Sequence, residues 1–186
     1  MNLREVLQYE YAHACNVPGD IHEHLPILKS LADTCQSVAE FGVRWGTSTR
    51  AFLASSAQKF RFYDLYEDQN IKWLIDLCKQ NHMDVGYIIA DDLTVVLDTV
   101  DLLFIDTSHT YKQLSAELLL HHKSVVKYIV MHDTEHNGTV DEFGQSPALT
   151  GALLQFLSTH HEWRLKAHYI NNNGLTVIER VAPSAA

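Results

Sequence analysis

The chain is poor in the residues that staple or punctuate a protein. Its 186 residues hold three cysteines, four prolines and eight glycines. Cys15, Cys35 and Cys78 are odd in number and widely spaced, which excludes a disulfide framework and offers no zinc-knuckle spacing. Cationic side chains are scarce as well: 14 Lys and Arg stand against 23 Asp and Glu, a formal net charge of −9. With no basic cluster to offset that balance, a nucleic-acid backbone is excluded as the main partner. No apolar run approaches the ~18 residues of a membrane span. The opening MNLREVLQYEY lacks a basic segment leading into a long apolar one. Internal repeats and low-complexity segments are missing too. What remains is the profile of one cytoplasmic domain, long enough to bury a sizeable core and without a membrane partner.

The most informative stretch present is Ser37–Arg50, SVAEFGVRWGTSTR. Val38, Ala39 and Phe41 read as a buried strand, and Thr47 opens a helix that presents Ala51, Phe52 and Leu53. Between them lies a turn bracketed by Gly42 and Gly46, with the acid Glu40 at the strand's carboxyl end. In an open parallel sheet a ligand enters at this edge, and glycine lets the backbone approach it closely. A dinucleotide fingerprint needs G-x-G-x-x-G so that a pyrophosphate meets bare backbone. Here bulky Arg44 and Trp45 stand where a phosphate would need clearance. The E-x-G-x-x-x-G-T-S turn instead resembles motif I of the class I S-adenosylmethionine (SAM) methyltransferases, whose cofactor carries no phosphate.

Along the chain, apolar spacing predicts a short helix within residues 1–20, then a Pro18-Gly19 break and a second helix with Pro26 in its first turn. Strands are expected at Phe60–Tyr66, Val85–Ala90, Val100–Ile105 and Lys127–Met131. The run VDLLFI is continuous enough for a central strand buried on both faces. Helices are expected from Asn70 as cap, from Thr110-x-x-Gln113 as a capping box with Tyr111, Leu114, Leu118 and His122 on one stripe, and from Pro147. Two strands around an Asn/Gly turn close the chain as a hairpin. This pattern predicts a doubly wound, Rossmann-like α/β sheet of five parallel strands plus a C-terminal antiparallel hairpin. Residues 1–35 would form a helical cap on a domain spanning 36–182.

Every expected parallel strand ends in an acid: Glu40, Asp64, Asp91-Asp92, Asp106 and Asp133. Any one of them could be an ordinary turn or cap residue, but five of five on one rim points to a site. Asp64 is placed for a ribose diol and Asp92 for an adenine amino group. Glu40, Gly42, Gly46, Thr47 and Ser48 complete the candidate cofactor set, with the first two toward the methionine end of SAM. Asp106 and Asp133 close neighbouring strands, and such a pair must share a proton or neutralise a cation. With His109 and His132 beside them, they suit Mg²⁺ or another divalent metal that lowers the pKa of a substrate hydroxyl while His109 accepts its proton.

DLLFIDTSHTY followed by YIVMHDT resembles the I-D-x-x-H-x-Y…H-D-T signature of a SAM-dependent O-methyltransferase group. That group includes macrolide-sugar O-methyltransferases and cephalosporin hydroxylase-like proteins, and the similarity runs roughly from Ile21 to Arg180. It implies metal binding by Asp106 and Asp133, with His132 standing where relatives often carry an acid, and His109 as the base. The implied acceptor is a small hydroxylated molecule or sugar. Substrate cover would come from the first twenty residues, the Thr134–Ser146 loop or a second copy in a homodimer. Three alternatives stay open: an NAD-dependent oxidoreductase, a metal-dependent hydrolase on the same rim, and a catalytically silent SAM-binding protein.

Overall fold

A two-residue alternation runs through the strands and divides the core between the two faces of one sheet. The computed structural model describes residues 2–181, so the expected domain limit at residue 182 lies just outside the described residues. The strands are β1 (Ser37–Phe41), β2 (Lys59–Asp64), β3 (Asp84–Ile89), β4 (Val100–Ile105), β5 (Val125–His132), β6 (Trp163–Tyr169) and β7 (Leu175–Arg180). Across the sheet they are ordered β3-β2-β1-β4-β5-β7-β6. The first five run parallel, whereas β7 is antiparallel to both β5 and β6. This is the expected sheet with its terminal hairpin.

The helices are α1 (Leu3–Asn16), α2 (Leu25–Ala32), α3 (Thr47–Leu53), α4 (Gln69–Gln80), α5 (Tyr111–His121) and α6 (Leu149–Thr159). Val38, Phe60, Phe62, Leu102 and Phe104 point to the face covered by α1–α4. Ala39, Phe41, Leu103, Ile105 and Met131 point to the face covered by α5 and α6. Each fully buried Phe or Leu contributes roughly 1.5–3 kcal/mol, so register is firmly set: a one-residue slip would exchange the two faces. Leu7, Leu25 and Leu28 of the N-terminal helices belong to the same core cluster as the sheet.

Three local expectations give way. Asp68, not Asn70, caps α4, accepting from the Asn70 amide at 2.7 Å. Asp68 is in extended backbone, as a cap must be, while Asn70 already lies inside the helix. α6 starts at Leu149 rather than at Pro147, and no side chain caps it. Its first amides are instead taken up by the Asn137 and Gly138 carbonyls of the preceding loop. α5 ends at His121, so His122 opens a short 3₁₀ turn instead of closing the helix stripe.

The chain moves outward from β1 to β3 and then crosses back to β4, so the strand order reverses between β1 and β4. Gly42 sits at that point. The Asp106 amide donates to the Phe41 carbonyl at 2.9 Å, and Gly42 has φ +85° with an added Cβ falling 2.0 Å from the Asp106 carbonyl oxygen. Gly42→Ala should therefore destabilise the protein by ~1–3 kcal/mol or more. A chemical-denaturation midpoint equal to the parent's would contradict this account of the switch point.

Candidate cofactor and acceptor site

Strand alternation decides what Glu40 can do. It shares the face of Val38, so its side chain meets α3 and is fully buried. Ser48 Oγ donates to one carboxylate oxygen, and Thr49 Oγ1 donates to the other at 2.7 Å. Burial pushes the Glu40 carboxyl up to about 8, outweighing these hydrogen bonds, with the Asp106 and Asp64 charges adding to the rise. Glu40 anchors the start of α3.

Asp64, at the end of β2, holds the glycine turn from the other side. Its Oδ2 accepts from the Val43 and Arg44 amides, both at 2.8 Å, and its Oδ1 from Tyr66 at 3.1 Å. Arg44 is kept in left-handed backbone with φ 45°. Its guanidinium lies 4.4 Å from the Trp45 ring centroid and 3.3 Å from Asp20. The expected bulk stays at the turn: Arg44 lines both the cleft at this rim and a smaller hollow beside it, and Trp45 lines the hollow.

A cleft of about 330 Å³ opens at this rim, and its walls include Gly42, Asp64, Asp92, Asp106 and Gln113. Thr47 and Ser48 line a much smaller hollow next to it, which also touches Asp20 and Asp106. Glu40 and Gly46 line neither. Gly46 packs against Ile71 of α4, where a Cβ would fall 2.3 Å from that side chain.

Beyond Asp106 the rim changes character. His109 Nε2 lies 3.3 Å from Asp106 and 3.0 Å from Asp133. His132 Nδ1 lies 3.5 Å from Asp106 and 3.1 Å from Asp133. Burial disfavours a charged imidazole at both, but the hydrogen bonds to the two carboxylates prevail and hold each at about 10. Asp133 answers in kind: burial would raise it, yet the two imidazoles keep it far below the usual carboxylate range. Asp106 is likewise lowered. Two carboxylates and two imidazoles thus form one cluster, which Glu142 approaches from outside at 3.9 Å from His109 Nδ1.

The histidines differ in access. His132 is 1% exposed at its side chain, and its Nε2 faces the Asp20 and Asn172 carbonyls at 3.2 and 3.0 Å. His109 is 21% exposed and comes from the loop after β4. Of the residues expected at a metal, Asp106 and Asp133 have donor atoms within 4.8 Å of each other and of His109, and His132 Nδ1 approaches the same two carboxylates from the buried side.

Several site residues escaped sequence reasoning. Glu142, from the Thr134–Ser146 loop, accepts from Ser108 Oγ at 2.6 Å and from the His109 amide at 3.2 Å. Its loop position carried no periodicity that could single it out. Glu117 of α5 is wholly buried and takes hydrogen bonds from Thr107 and Gln113. An acid on the inward stripe Leu114–Leu118 was the available signal.

Solved structures share this architecture over nearly the whole chain. A protein from Corynebacterium glutamicum aligns with a TM-score of 0.70 at 16% identity, covering 99% of this chain and 92% of that one. The 1,6-didemethyltoxoflavin-N1-methyltransferase of Burkholderia thailandensis, solved with 1,6-didemethyltoxoflavin and S-adenosylhomocysteine (SAH), aligns at 0.67 and 12% identity over 97% and 88%. An O-methyltransferase from Bacillus cereus in complex with SAH aligns at 0.63 and 15% identity over 96% and 90%. No protein-family model and no curated protein sequence matches the chain. The fold is that of the class I SAM-dependent methyltransferases.

Glu40 makes a pH prediction. Folded, it keeps its proton to about 8 against an ordinary value of 4.5. Between those limits the native state binds more protons than the unfolded one, so stability falls as pH rises and the contribution is complete below 4.5. In denaturation curves across this range Glu40→Gln should flatten the decline. An unchanged slope would show that Glu40 ionises normally.

Proposed function

We propose that the protein is a SAM-dependent methyltransferase acting on a hydroxyl of a small molecule, with SAM in the 330 Å³ cleft and the acceptor presented to His109. The observation that carries this reading is the position of Asp106. It lines the cleft on one side and belongs to the Asp133, His109 and His132 cluster on the other. Transfer requires methyl donor and acceptor to meet in line, and Asp106 is where the two halves of the rim join. The solved neighbours that hold SAH in the same fold support the cofactor.

Within the cleft we assign Gly42 to close backbone approach and Asp64 to the ribose. Three backbone amides already orient the Asp64 carboxylate, and its remaining lone pair is free for a hydroxyl. Asp92 stands on the same wall, one strand further, for the adenine. Glu40, Gly46, Thr47 and Ser48 shape the turn, with Thr47 and Ser48 at the edge nearest Asp106.

The neighbours include an N-methyltransferase as well as an O-methyltransferase. The hydroxyl reading therefore rests on the acid–imidazole cluster, since an alcohol must lose its proton as it attacks. His109 is the accessible imidazole of the pair, and we assign it to that proton. Its own proton is held there by Asp106 and Asp133, so it becomes a base only when other positive charge satisfies those carboxylates. The Asp106 and Asp133 carboxylates, whose oxygens converge at this point, fit a divalent cation of the Mg²⁺ or Mn²⁺ type, which leaves the His109 nitrogen for the proton. Bound there, such an ion would polarise the acceptor oxygen and lower its pKa.

Calorimetric titration with SAM and with SAH tests the reading directly, and both should bind. Asp64→Ala should weaken both by ~1–3 kcal/mol, the scale of lost hydrogen bonds to an ionised group. NAD binding without SAM binding would hand the cleft to an oxidoreductase, and ester or phosphate hydrolysis without it would favour a hydrolase. His109→Ala with turnover intact would leave a binding protein whose cluster is idle. For the cation, Mn²⁺ should bind the parent, and Asp133→Asn should abolish that binding while leaving SAH affinity nearly unchanged. Failure of the parent to bind Mn²⁺ or Mg²⁺ would remove the metal from the scheme.

A further inference from the structure

A cavity of about 420 Å³, larger than the 330 Å³ cleft, lies at the other end of the strands. It opens where Gln58 leads into β2 and Asp84 begins β3, between the first turns of α1 and the end of α3. Leu7, Leu53 and Ala57 of its lining belong to the core cluster on the α1–α4 face, and Leu3 and Met83 pack against that cluster. Part of the wall is thus core surface, which favours an apolar occupant over water.

The polar lining is mostly spent. Gln8 donates to the Ala54 carbonyl at 2.7 Å, Ser55 to Phe52 at 2.6 Å and Gln58 to Ser56 at 2.7 Å. Ser56 Oγ donates to the Asp33 carbonyl at 2.9 Å, and Arg61 neutralises the Asp84 carboxylate at 2.7 Å. Two lining residues differ: Arg4 and His82 make no side-chain hydrogen bond or ion pair among the described residues. The other five arginines of the chain each donate to a carboxylate or a carbonyl. In a chain with 23 acids, an unmatched guanidinium is out of character. His82 follows the end of α4 in left-handed backbone, φ 63°, where glycine is the usual residue. An imidazole is kept where the backbone favours no side chain at all.

We infer that this cavity is a second ligand site, for a small monocarboxylate with an apolar tail. The guanidinium offers paired N–H donors that match a carboxylate, and the imidazole is a further donor in the same lining. Core side chains with a few polar groups among them make the kind of wall that takes such a tail. Inorganic phosphate would leave the apolar wall unmet, and a dicarboxylate would set a second charge against it. Because the cavity lies at the amino ends of the strands, the inference does not depend on what fills the cleft.

Backbone amide spectra of isotope-labelled protein, titrated with octanoate and with 4-phenylbutyrate, test it. Signals of Leu7, Leu53 and Met83 should shift and saturate while those of Asp64 and Asp92 stay in place. Saturation by either acid supports the site and tells an alkyl from an aryl tail. Octan-1-ol, which keeps the tail and lacks the charge, should bind at least about tenfold more weakly than octanoate. Arg4→Met keeps the length of an exposed side chain, so the fold should hold. It should weaken octanoate by about tenfold and leave octan-1-ol unchanged. His82→Asn, which tolerates left-handed backbone, should weaken octanoate in the same direction with the denaturation midpoint unmoved. Equal binding of octanoate and octan-1-ol, shifts confined to the cleft, no saturable shift with either acid, or octanoate affinity unchanged in both variants would overturn the inference.

Discussion

Asp106 and Asp133 end adjacent parallel strands, and two carboxylates so placed must share a proton or be met by positive charge, which here the two imidazoles supply. Much of the rim is arranged around that demand. His132 belongs to the same strand end as Asp133 and can meet it only from within the sheet, so its outer nitrogen needs acceptors of its own. The Asp20 carbonyl supplies one and the Asn172 carbonyl at the hairpin tip the other. Asn172 in turn accepts from the Glu23 amide and donates to the Gly19 carbonyl, which stitches the N-terminal segment to the hairpin. The residues that precede α2 and the turn that follows β6 are held together through the His132 and His24 imidazoles and the Asn171 and Asn172 side chains. Asp133 itself sits in left-handed backbone, φ 57°, a conformation that sharply redirects the chain into the loop bearing Glu142.

The same demand separates the rim into two chemical halves. On the cleft side the acids are met by backbone amides, at Asp64, or by a carboxamide, at Asp92. These partners are neutral, so neither carboxylate is paired with a cation among the described residues. On the other side the acids are met by imidazoles and their charge is spent internally. Asp106 belongs to both halves. A cation seated there would compete with two protons, which couples metal binding to the charge state of His109 without any movement of the chain.

The sheet was legible because its signals are local and periodic. VDLLFI names β4 to the residue, and strand-terminal acids mark one rim without any knowledge of strand order. Motif spacing also brought Asp106, His109, His132 and Asp133 together before any geometry was known. What stayed hidden was direction. Nothing in a linear reading says that Glu40 turns toward α3, because that depends on the register that places Val38 against Leu102 and thereby settles which face Glu40 shares. Nor can a linear reading tell Asp68 from Asn70 as a cap, since both are good cap residues two positions apart. The Glu142 contact joins residues more than thirty positions apart through a loop, where no period operates.

The five acids at strand ends therefore differ in what they meet. Glu40 is sealed beneath the turn and holds Ser48 and Thr49, Asp64 clamps the turn from above, and between them they fix the path of Gly42 and Arg44. That path matters because the Gly42 backbone lies directly against Asp106, leaving no slack for one to shift without the other. An acid sealed beneath the turn can thus set the position of one on the cleft wall. The cost of burying Glu40, paired to two hydroxyls and to no cation, is intelligible on those terms: it fixes the glycine turn relative to the Asp106 and Asp133 cluster.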